Sequence, residues 1–527
     1  MADSAASPWR PLRAPVFRNL LLANLVSDIG TFMQGVGAAW LMVSLGAGPL
    51  NVALIQTATA LPFFLLVLPA GAMGDIVDHR RLILVTECWM LAAAVALAAL
   101  TFLGLMTPWL LLTLTFVLSA GDACEAPTWR ALLPELVDRE NLAAGAALNG
   151  IEFNLARAVG PALAGLLVAA AGVGAAFAVN ALSFLGVILV IARWKRNVRQ
   201  NGSPRENLAG ATTAALRYVR HSPAIRSLLI WTGCVMFFAS ALLALLPTVA
   251  HGLRGGSLGY GLLLGSFGFG AVLGAVAMPP LRAKLSTPAL MSGALVVLSV
   301  LLFATGTLRS LWPLCAFMVF GGSAWMIFIS TLNTMTQLLA PAWVRARVLA
   351  TFLLVFQGSV TLGSFVWGWV GEHRGVALAF LIAGGGTAAS ILLRFFAPLP
   401  NTNVDLSPWV HWSAPTVVGG LDLDLDDGPV LVTIEYHVDP SRSAAFLVAV
   451  HRLGRLRRRD GAVDWGVFRD TALSDRYLET FLVSSWAEHL RQHERSVRDD
   501  FSVEEAVHRS ARQPPLIRHF LYSRDRP

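Results

Sequence analysis

Residues 174–194 read GAAFAVNALSFLGVILVIARW, residues 195–222 read KRNVRQNGSPRENLAGATTAALRYVRHS, and residues 224–250 read AIRSLLIWTGCVMFFASALLALLPTVA. The hydrocarbon core of a bilayer, about 30 Å thick, is crossed by a helix of about 20 apolar residues. The outer two stretches meet that length, and the basic, polar stretch between them does not. Applied outward from this junction, the same ruler marks spans at 16–44, 51–73, 82–104, 108–129 and 142–171 before it. It marks 258–281, 288–307, 311–337, 345–371 and 374–397 after it. The expected fold is an α-helical polytopic membrane protein with six spans on either side of a long basic loop, the layout of transporters built from repeated halves with a substrate site at midplane between them.

Composition agrees. With 55% hydrophobic and 14% charged residues over 527, the chain has too little polar surface to coat a water-soluble globule of its size. Residues 1–400 hold 24 Lys+Arg against 13 Asp+Glu, a net of 24 − 13 = +11, and the remainder 16 against 19, a net of −3. A nucleic-acid protein would gather its cations on one soluble face; here they sit in short loops. Taken alternately, one set of loops holds 20 Lys and Arg and the other only Arg254, Arg309 and Arg374. Because Lys and Arg are retained on the cytoplasmic side, both termini and the central loop are expected to be cytoplasmic, in a bacterial inner membrane. The first apolar run exceeds a signal peptide's core and lacks a small-residue cleavage site, so it is expected to remain as a span. Cys88, Cys124, Cys234 and Cys315 lie in apolar stretches without a Cys-x-x-Cys pair, which suggests neither a disulfide framework nor a zinc site. No cofactor and no metal are expected. No Gly-x-x-x-x-Gly-Lys-Ser/Thr loop occurs, which points to an ion gradient and not ATP as the energy source.

The loop after the second span reads Gly71-Ala-Met-Gly-Asp75-Ile-Val-Asp78-His79-Arg80-Arg81. It resembles the signature of the major facilitator superfamily, in which glycine, three residues, aspartate and a basic cluster follow one another. Ile76, Asp78 and His79 depart from that pattern. The segments FRNLLLANLVSDIGTFMQGVGAAWL (17–41) and APTWRALLPELVDRENLAAGAALNGIEFNLARAVGPALAG (126–165) resemble its enterobactin-exporter-like, transmembrane secretion effector branch. The resemblance implies a conformational latch at Gly71, Asp75, Arg80 and Arg81. A carboxylate at a helix end can cap neighbouring helices and pair with Arg as the halves rock; the alternative is that these charges only mark the interface. Gly160, Pro161 and Gly165 resemble part of the helix-five motif associated with antiport, although small-residue packing explains the same residues.

Ionisable groups at bilayer depth are costly and therefore candidates for function. Asp28 lies about 18 Å along the first span, near midplane, with Asn24 four residues earlier on its face and Gln34 in the same helix. A carboxyl group there can be neutral on one side of a transport cycle and charged on the other. Glu152 and Asp122 are further proton-coupling candidates. Arg157 is either a site for an anionic substrate or a partner for Asp28, and a purely structural ion pair is the alternative. Asn24, Gln34, Trp40, Arg157 and Trp367 are the candidate substrate contacts. Glu125 and Glu87 read as groups reaching the headgroups. The glycines 261, 265, 268, 270 and 274 form small-x-x-x-small pairs of packed membrane helices and not a nucleotide loop, since no strand precedes them.

After a linker (398–428), the tail (429–527) alternates as strand, helix, strand, strand, helix, strand, the split βαββαβ order of ferredoxin-like α+β domains. Arg-Arg-Arg-Asp-Gly (457–461) and the helix around Trp486 resemble the dimeric α/β-barrel-like tail found on some members of the branch, which implies a homodimer through the tail. Val463, Trp465 and Val467, with Phe481 and Val483, are expected to form the apolar dimer patch. His489 and His493 are four apart on a helix, a spacing metals use, but no third ligand accompanies them. The chain as a whole reads as 1–15 terminus, 16–194 and 224–397 bundles, 195–223 loop, linker and tail. It is expected to be a secondary active, proton-coupled exporter (antiporter) of small amphipathic molecules such as drugs or a siderophore, with the bilayer, the substrate and protons as partners and no nucleic acid. A lysolipid or lipid translocator of the same fold is the alternative, and a monooxygenase-like enzyme in the tail a further one.

Overall fold

The computed structural model describes residues 9–194, 216–253, 255–400, 404–407, 409, 424 and 427–522, excluding the side chains at 67, 68, 71–76, 130, 139 and 494. Most of the linker and of the central loop, and the surroundings of Gly71 and Asp75 of the expected latch, thus lie outside what is described. Among the described residues, eleven helices are long and apolar enough to cross a membrane. They are α2 (Pro49–Ile76), α3 (His79–Phe102), α4 (Pro108–Leu136), α5 (Leu142–Ala171), α6 (Val173–Arg193), α7 (Pro223–Gly252), α8 (Gly256–Lys284), α9 (Thr287–Thr307), α10 (Leu311–Leu339), α11 (Arg345–Arg374) and α12 (Val376–Phe396). To these is added α1 (Pro15–Ser44), whose apolarity is reduced by Asn24, Asp28 and Gln34. The helical boundaries fall within a few residues of the expected spans, except that α4 continues through Pro127 and Pro134 to Leu136.

Local chemistry sets several of these ends. Pro15 and Pro108 occupy the first turns of α1 and α4, where a missing N–H costs no hydrogen bond. Asp78 caps α3 by accepting the N–H of Arg81 at 3.0 Å. Gly172, at φ +79°, makes the tight junction between α5 and α6. On the outer faces stand Leu22, Val26, Ile151 and Val276, all more than half exposed, as lipid-facing side chains require.

Without a hydrophobic force between helices in lipid, packing depends on small residues that let backbones approach. The glycine run of α8 serves two neighbours in this way. A Cβ at Gly270 would overlap the carbonyl oxygen of Val319, and one at Gly274 would meet Ser323, both on α10. On another side, Gly261 faces Gly165 and Gly268 faces Ala158 of α5.

The chain divides into two compact units, one of residues 1–202, 229–333 and 350–398, the other of 203–228, 334–349 and 399–527. In the second unit the strands β1 (Val430–His437), β2 (Asp464–Arg469), β3 (Arg476–Val483) and β4 (Leu516–Leu521) form an antiparallel sheet in the order β2-β3-β1-β4. Helices α13 (Ser443–Asp460), α14 (Trp486–Glu494) and α15 (Phe501–His508) complete it. Strand order and connectivity match the split unit read from the sequence. Within the same unit, Arg217 donates to Glu488 at 2.8 Å, Arg459 stacks over Tyr218, and Arg495 lies 4.7 Å from the ring centre of Trp343.

One expectation is corrected. Trp465, Phe481 and Val483 do not form an open patch; they are buried in a core with Phe446, Val450 and Leu453 of α13. Gly454 of that helix lies directly on the Trp465 indole. The residues alternate as expected, but the apolar face is covered by the chain's own helix, and Val463 at its edge is 68% exposed. Glu479, fully buried there, accepts the indole N–H of Trp465 and the hydroxyl of Tyr436, each at 2.8 Å. Trp465→Ala would remove the ring and one of the two hydrogen bonds that Glu479 accepts. We expect the tail to lose about 3–5 kcal/mol and to become protease-sensitive in the purified full chain, with the membrane helices left intact; a tail as resistant as wild type would contradict this core.

Candidate functional site

In the first unit the ionisable groups of the N-terminal helices converge. Asp28 on α1 is close enough to Glu152 on α5 for their carboxyl groups to interact electrostatically, and Asn24, one turn earlier, donates to Glu152 Oε2 at 3.3 Å. Glu87 on α3 is in the same relation to Glu125 on α4, and the hydroxyl of Thr86 donates to Glu125 Oε2. Asp122, one turn before Glu125, is close enough to interact electrostatically with both Asp28 and Glu87. Glu87, Glu125 and Glu152 are buried, at 3%, 7% and 6% exposure. Among the described residues no Lys or Arg forms a salt bridge with any of these carboxyl groups. One oxygen each of Glu87 and Glu152 has no hydrogen-bond partner among the described residues.

Four helices thus bring carboxyl groups together, an arrangement sequence reading recovered only in part. Sequence alone points to Asp28, Asp122 and Glu152, whereas the distance of Glu87 and Glu125 from midplane points them to the headgroups. The structure corrects that assignment, because α3 and α4 pack along their length and seal both side chains between them. The signal available in the sequence was Thr86 beside Glu87, a hydroxyl placed to satisfy a carboxyl group on a neighbouring helix.

The other candidates are distributed more widely. Gln34 accepts the side-chain amide N–H of Asn180, which ties α1 to α6. Trp40 stands beside His251 and Tyr260, with ring centres 5.9 and 6.3 Å away, so it bridges α1 to α7 and α8. Trp367 is 3% exposed and donates to the carbonyl of Phe237 at 2.7 Å, which makes it part of the α7–α11 packing. Arg157 is partly buried and has no ion pair among the described residues, with Asp28 or otherwise. Arg80 donates to the carbonyls of Ile191 and Ala192 and so caps the end of α6, while Arg81 is exposed.

The helix-five residues lie at a crossing. Gly160 packs on Ile29 and Phe32 of α1, one turn beyond Asp28, and Gly165 on Gly261 of α8. The segment therefore touches the carboxyl-bearing helix on one side and the C-terminal half on the other. Further contacts between the halves are Leu50 N–H to Glu372 at 3.2 Å and the Thr57 hydroxyl to the carbonyl of Thr361 at 3.4 Å.

The sequence model of the transmembrane secretion effector family matches residues 6–527. The chain belongs to this family. As a transmembrane secretion effector it is a multi-pass membrane protein of the major facilitator fold. Its curated relatives include the uncharacterised MFS-type transporter YfiS of Bacillus subtilis, 26% identical over 43% of this chain and 56% of that protein. The staphyloferrin A transporter of Staphylococcus aureus is 25% identical over 31% and 41% respectively. The multidrug efflux pump Tap of Mycolicibacterium fortuitum is 28% identical over 42% and 58%. The chain spans about half the length of the curated relatives it matches. Among solved structures, the nucleoside transporter NupG superposes with a TM-score of 0.59 at 12% identity, covering 72% of this chain and 98% of that one. A bacterial homologue of the lysosomal transporter Spinster gives 0.56 at 14%, covering 74% and 96%. At such identities the likeness concerns the fold alone.

The α5–α8 crossing of this secretion effector can be tested directly. The Cβ of Ala162 lies 3.2 Å from where a Cβ of Gly265 would stand, near the separation a disulfide requires. In a chain with its native cysteines replaced, Ala162→Cys with Gly265→Cys should cross-link under mild oxidation. Adding Gly165→Val, which forces the backbones apart, should lower the yield several-fold. Undiminished cross-linking would show that the glycine contact does not set the crossing.

Proposed function

We propose that the chain is a proton-coupled exporter of small, partly apolar molecules that works by alternating access in a bacterial inner membrane. The observation that carries this reading is the set of carboxyl groups on α1, α3, α4 and α5 without a cationic partner among the described residues. In a low-dielectric region such groups cannot all carry charge side by side, so the set must hold protons, and how many it holds depends on which side of the membrane has access to it. Asp28 is the coupling residue in this scheme. It interacts electrostatically with Glu152 and precedes Ile29 and Phe32, on which Gly160 of the helix-five segment packs, so a change in its charge acts at the contact that moves when the halves rock. The relatives named as multidrug and siderophore transporters support a cargo of that chemical class, and Asn24, Trp40 and Arg157 are the side chains best suited to meet it.

The alternate-loop charge bias supports cytoplasmic termini. With that orientation, Leu50–Glu372, Thr57–Thr361 and Trp40 with its aromatic neighbours close the periplasmic end of the two halves. Reporter fusions at Gly48 and Gly375 are expected to read periplasmic, and fusions at Gly202 and Pro527 cytoplasmic. A periplasmic signal at Pro527 would reverse the direction of transport in this scheme.

In proteoliposomes screened with dyes, siderophores and lysolipids, a pH gradient should drive transport by wild type. Asp28→Asn keeps shape and hydrogen bonding but cannot titrate. Gradient-driven flux should fall at least tenfold while equilibrium binding of the same compound changes less than about threefold. Wild-type flux in Asp28→Asn would remove this residue from coupling, and flux of lysolipids alone would favour lipid translocation.

A further inference from the structure

His489 and His493, one turn apart on α14, are joined in the folded tail by His519 of β4, which the sequence separates from them by a whole element. One ring nitrogen from each lies within 4.8 Å of the other two. Nε2 of His489 and Nε2 of His493 are 3.2 Å apart. Tetrahedral zinc with Zn–N bonds of about 2.0–2.1 Å holds its ligand nitrogens about 3.3 Å from one another, so this pair already has the required spacing, and His519, within 4.8 Å of both, has at most about 1.5 Å to close. His489 is 1% exposed, and Nε2 of His519 has no hydrogen-bond partner among the described residues although it is buried. We propose that His489, His493 and His519 form a binding site for a divalent first-row transition ion of the zinc type, with three imidazoles and one position left for water.

The donor set and its surroundings fit such an ion. A metal ligand must offer a lone pair, and burial, reinforced by the neighbouring His493 and His519, holds the His489 ring far below the usual histidine range, at about 3, so that it stays neutral. Burial likewise lowers His519. Imidazoles alone favour zinc and its neighbours in the periodic table over magnesium or calcium, which take oxygen ligands. Arg457, a cation whose field reaches His489, is compensated by Glu479 at 3.6 Å and Glu504 at 3.4 Å. His489 and His493 line a cavity of about 30 Å³ together with Gln492, Ser496, Asp500 and Glu504, enough for one bound water. An isolated His–His hydrogen bond would account for two of the rings. It leaves the buried nitrogen of His519 without a purpose, whereas an ion gives all three one role.

The site adjoins the joint of the second unit. Glu488, the residue before His489, accepts from Arg217, Arg491 and Arg495. An ion that fixes α14 to β4 would therefore also stiffen the helix that holds the segment preceding α7.

The test uses the full chain in detergent, purified through a tag without histidines, stripped with a chelator and reloaded with Zn²⁺ or Co²⁺. Elemental analysis should find about one zinc per chain, and the cobalt form should show the visible absorption of a tetrahedral ion with nitrogen ligands. His493→Gln and His519→Gln should each weaken zinc at least tenfold in competition with a chelating dye. Their metal-free thermal unfolding should stay at the wild-type temperature, whereas the rise that zinc gives wild type should vanish. A wild-type chain that retains no zinc and shows no cobalt absorption would overturn the proposal whatever the variants do, and so would zinc affinity unchanged in both.

Discussion

Lipid offers no hydrogen bonds, and the whole membrane part follows from that. Each spanning segment must satisfy its own backbone as a helix, each helix must find neighbours through close contact, since apolar side chains gain nothing by leaving lipid, and each ionisable side chain must find a polar companion. The glycines of α8, in backbone contact with α5 and α10, meet the second demand. The third explains why the carboxyl groups of α1, α3, α4 and α5 lie together and not scattered around the bundle.

These demands meet at the α1–α5–α8 junction. Gly160 allows α5 to approach α1 next to the Asp28–Glu152 pair, and Gly165 allows the same helix to reach α8 across the division between halves. In the proposed transport scheme, a rigid helix with one face on the carboxyl pair and the other on the opposing half links a change of charge to a relative movement of the halves, because packed interfaces move between discrete arrangements and do not deform continuously.

The tail obeys the opposite rule. Its sheet gains from burying apolar area, and α13 provides this by covering the face that carries Trp465, Phe481 and Val483. The polar groups enclosed with them, Glu479 with Tyr436 and Trp465, and Arg459 with Asp460 and Asp500, are matched donor to acceptor. A buried polar group left unmatched is expensive, and around the histidine cluster Nδ1 of His489, Nε2 of Gln492 and Nε2 of His519 have no hydrogen-bond partner among the described residues.

The sequence by itself determined the number, length and order of the membrane helices, because the thickness of the hydrocarbon core imposes a linear measure on the chain. It likewise determined the βαββαβ order of the tail, through the periods of strand and helix. It identified Asp28, Asp122 and Glu152 as groups out of place in lipid, since that judgement needs only a residue type and a depth. It could not decide which helix faces meet. Whether Glu87 points to the headgroups or into the α3–α4 seam, whether Gln34 serves a substrate or Asn180, whether Trp465 faces a second copy or α13, and whether two histidines gain a third from β4 all depend on contacts between segments far apart in the chain. Those contacts are set by the mutual fit of whole helices and strands, which one-dimensional periodicity does not encode.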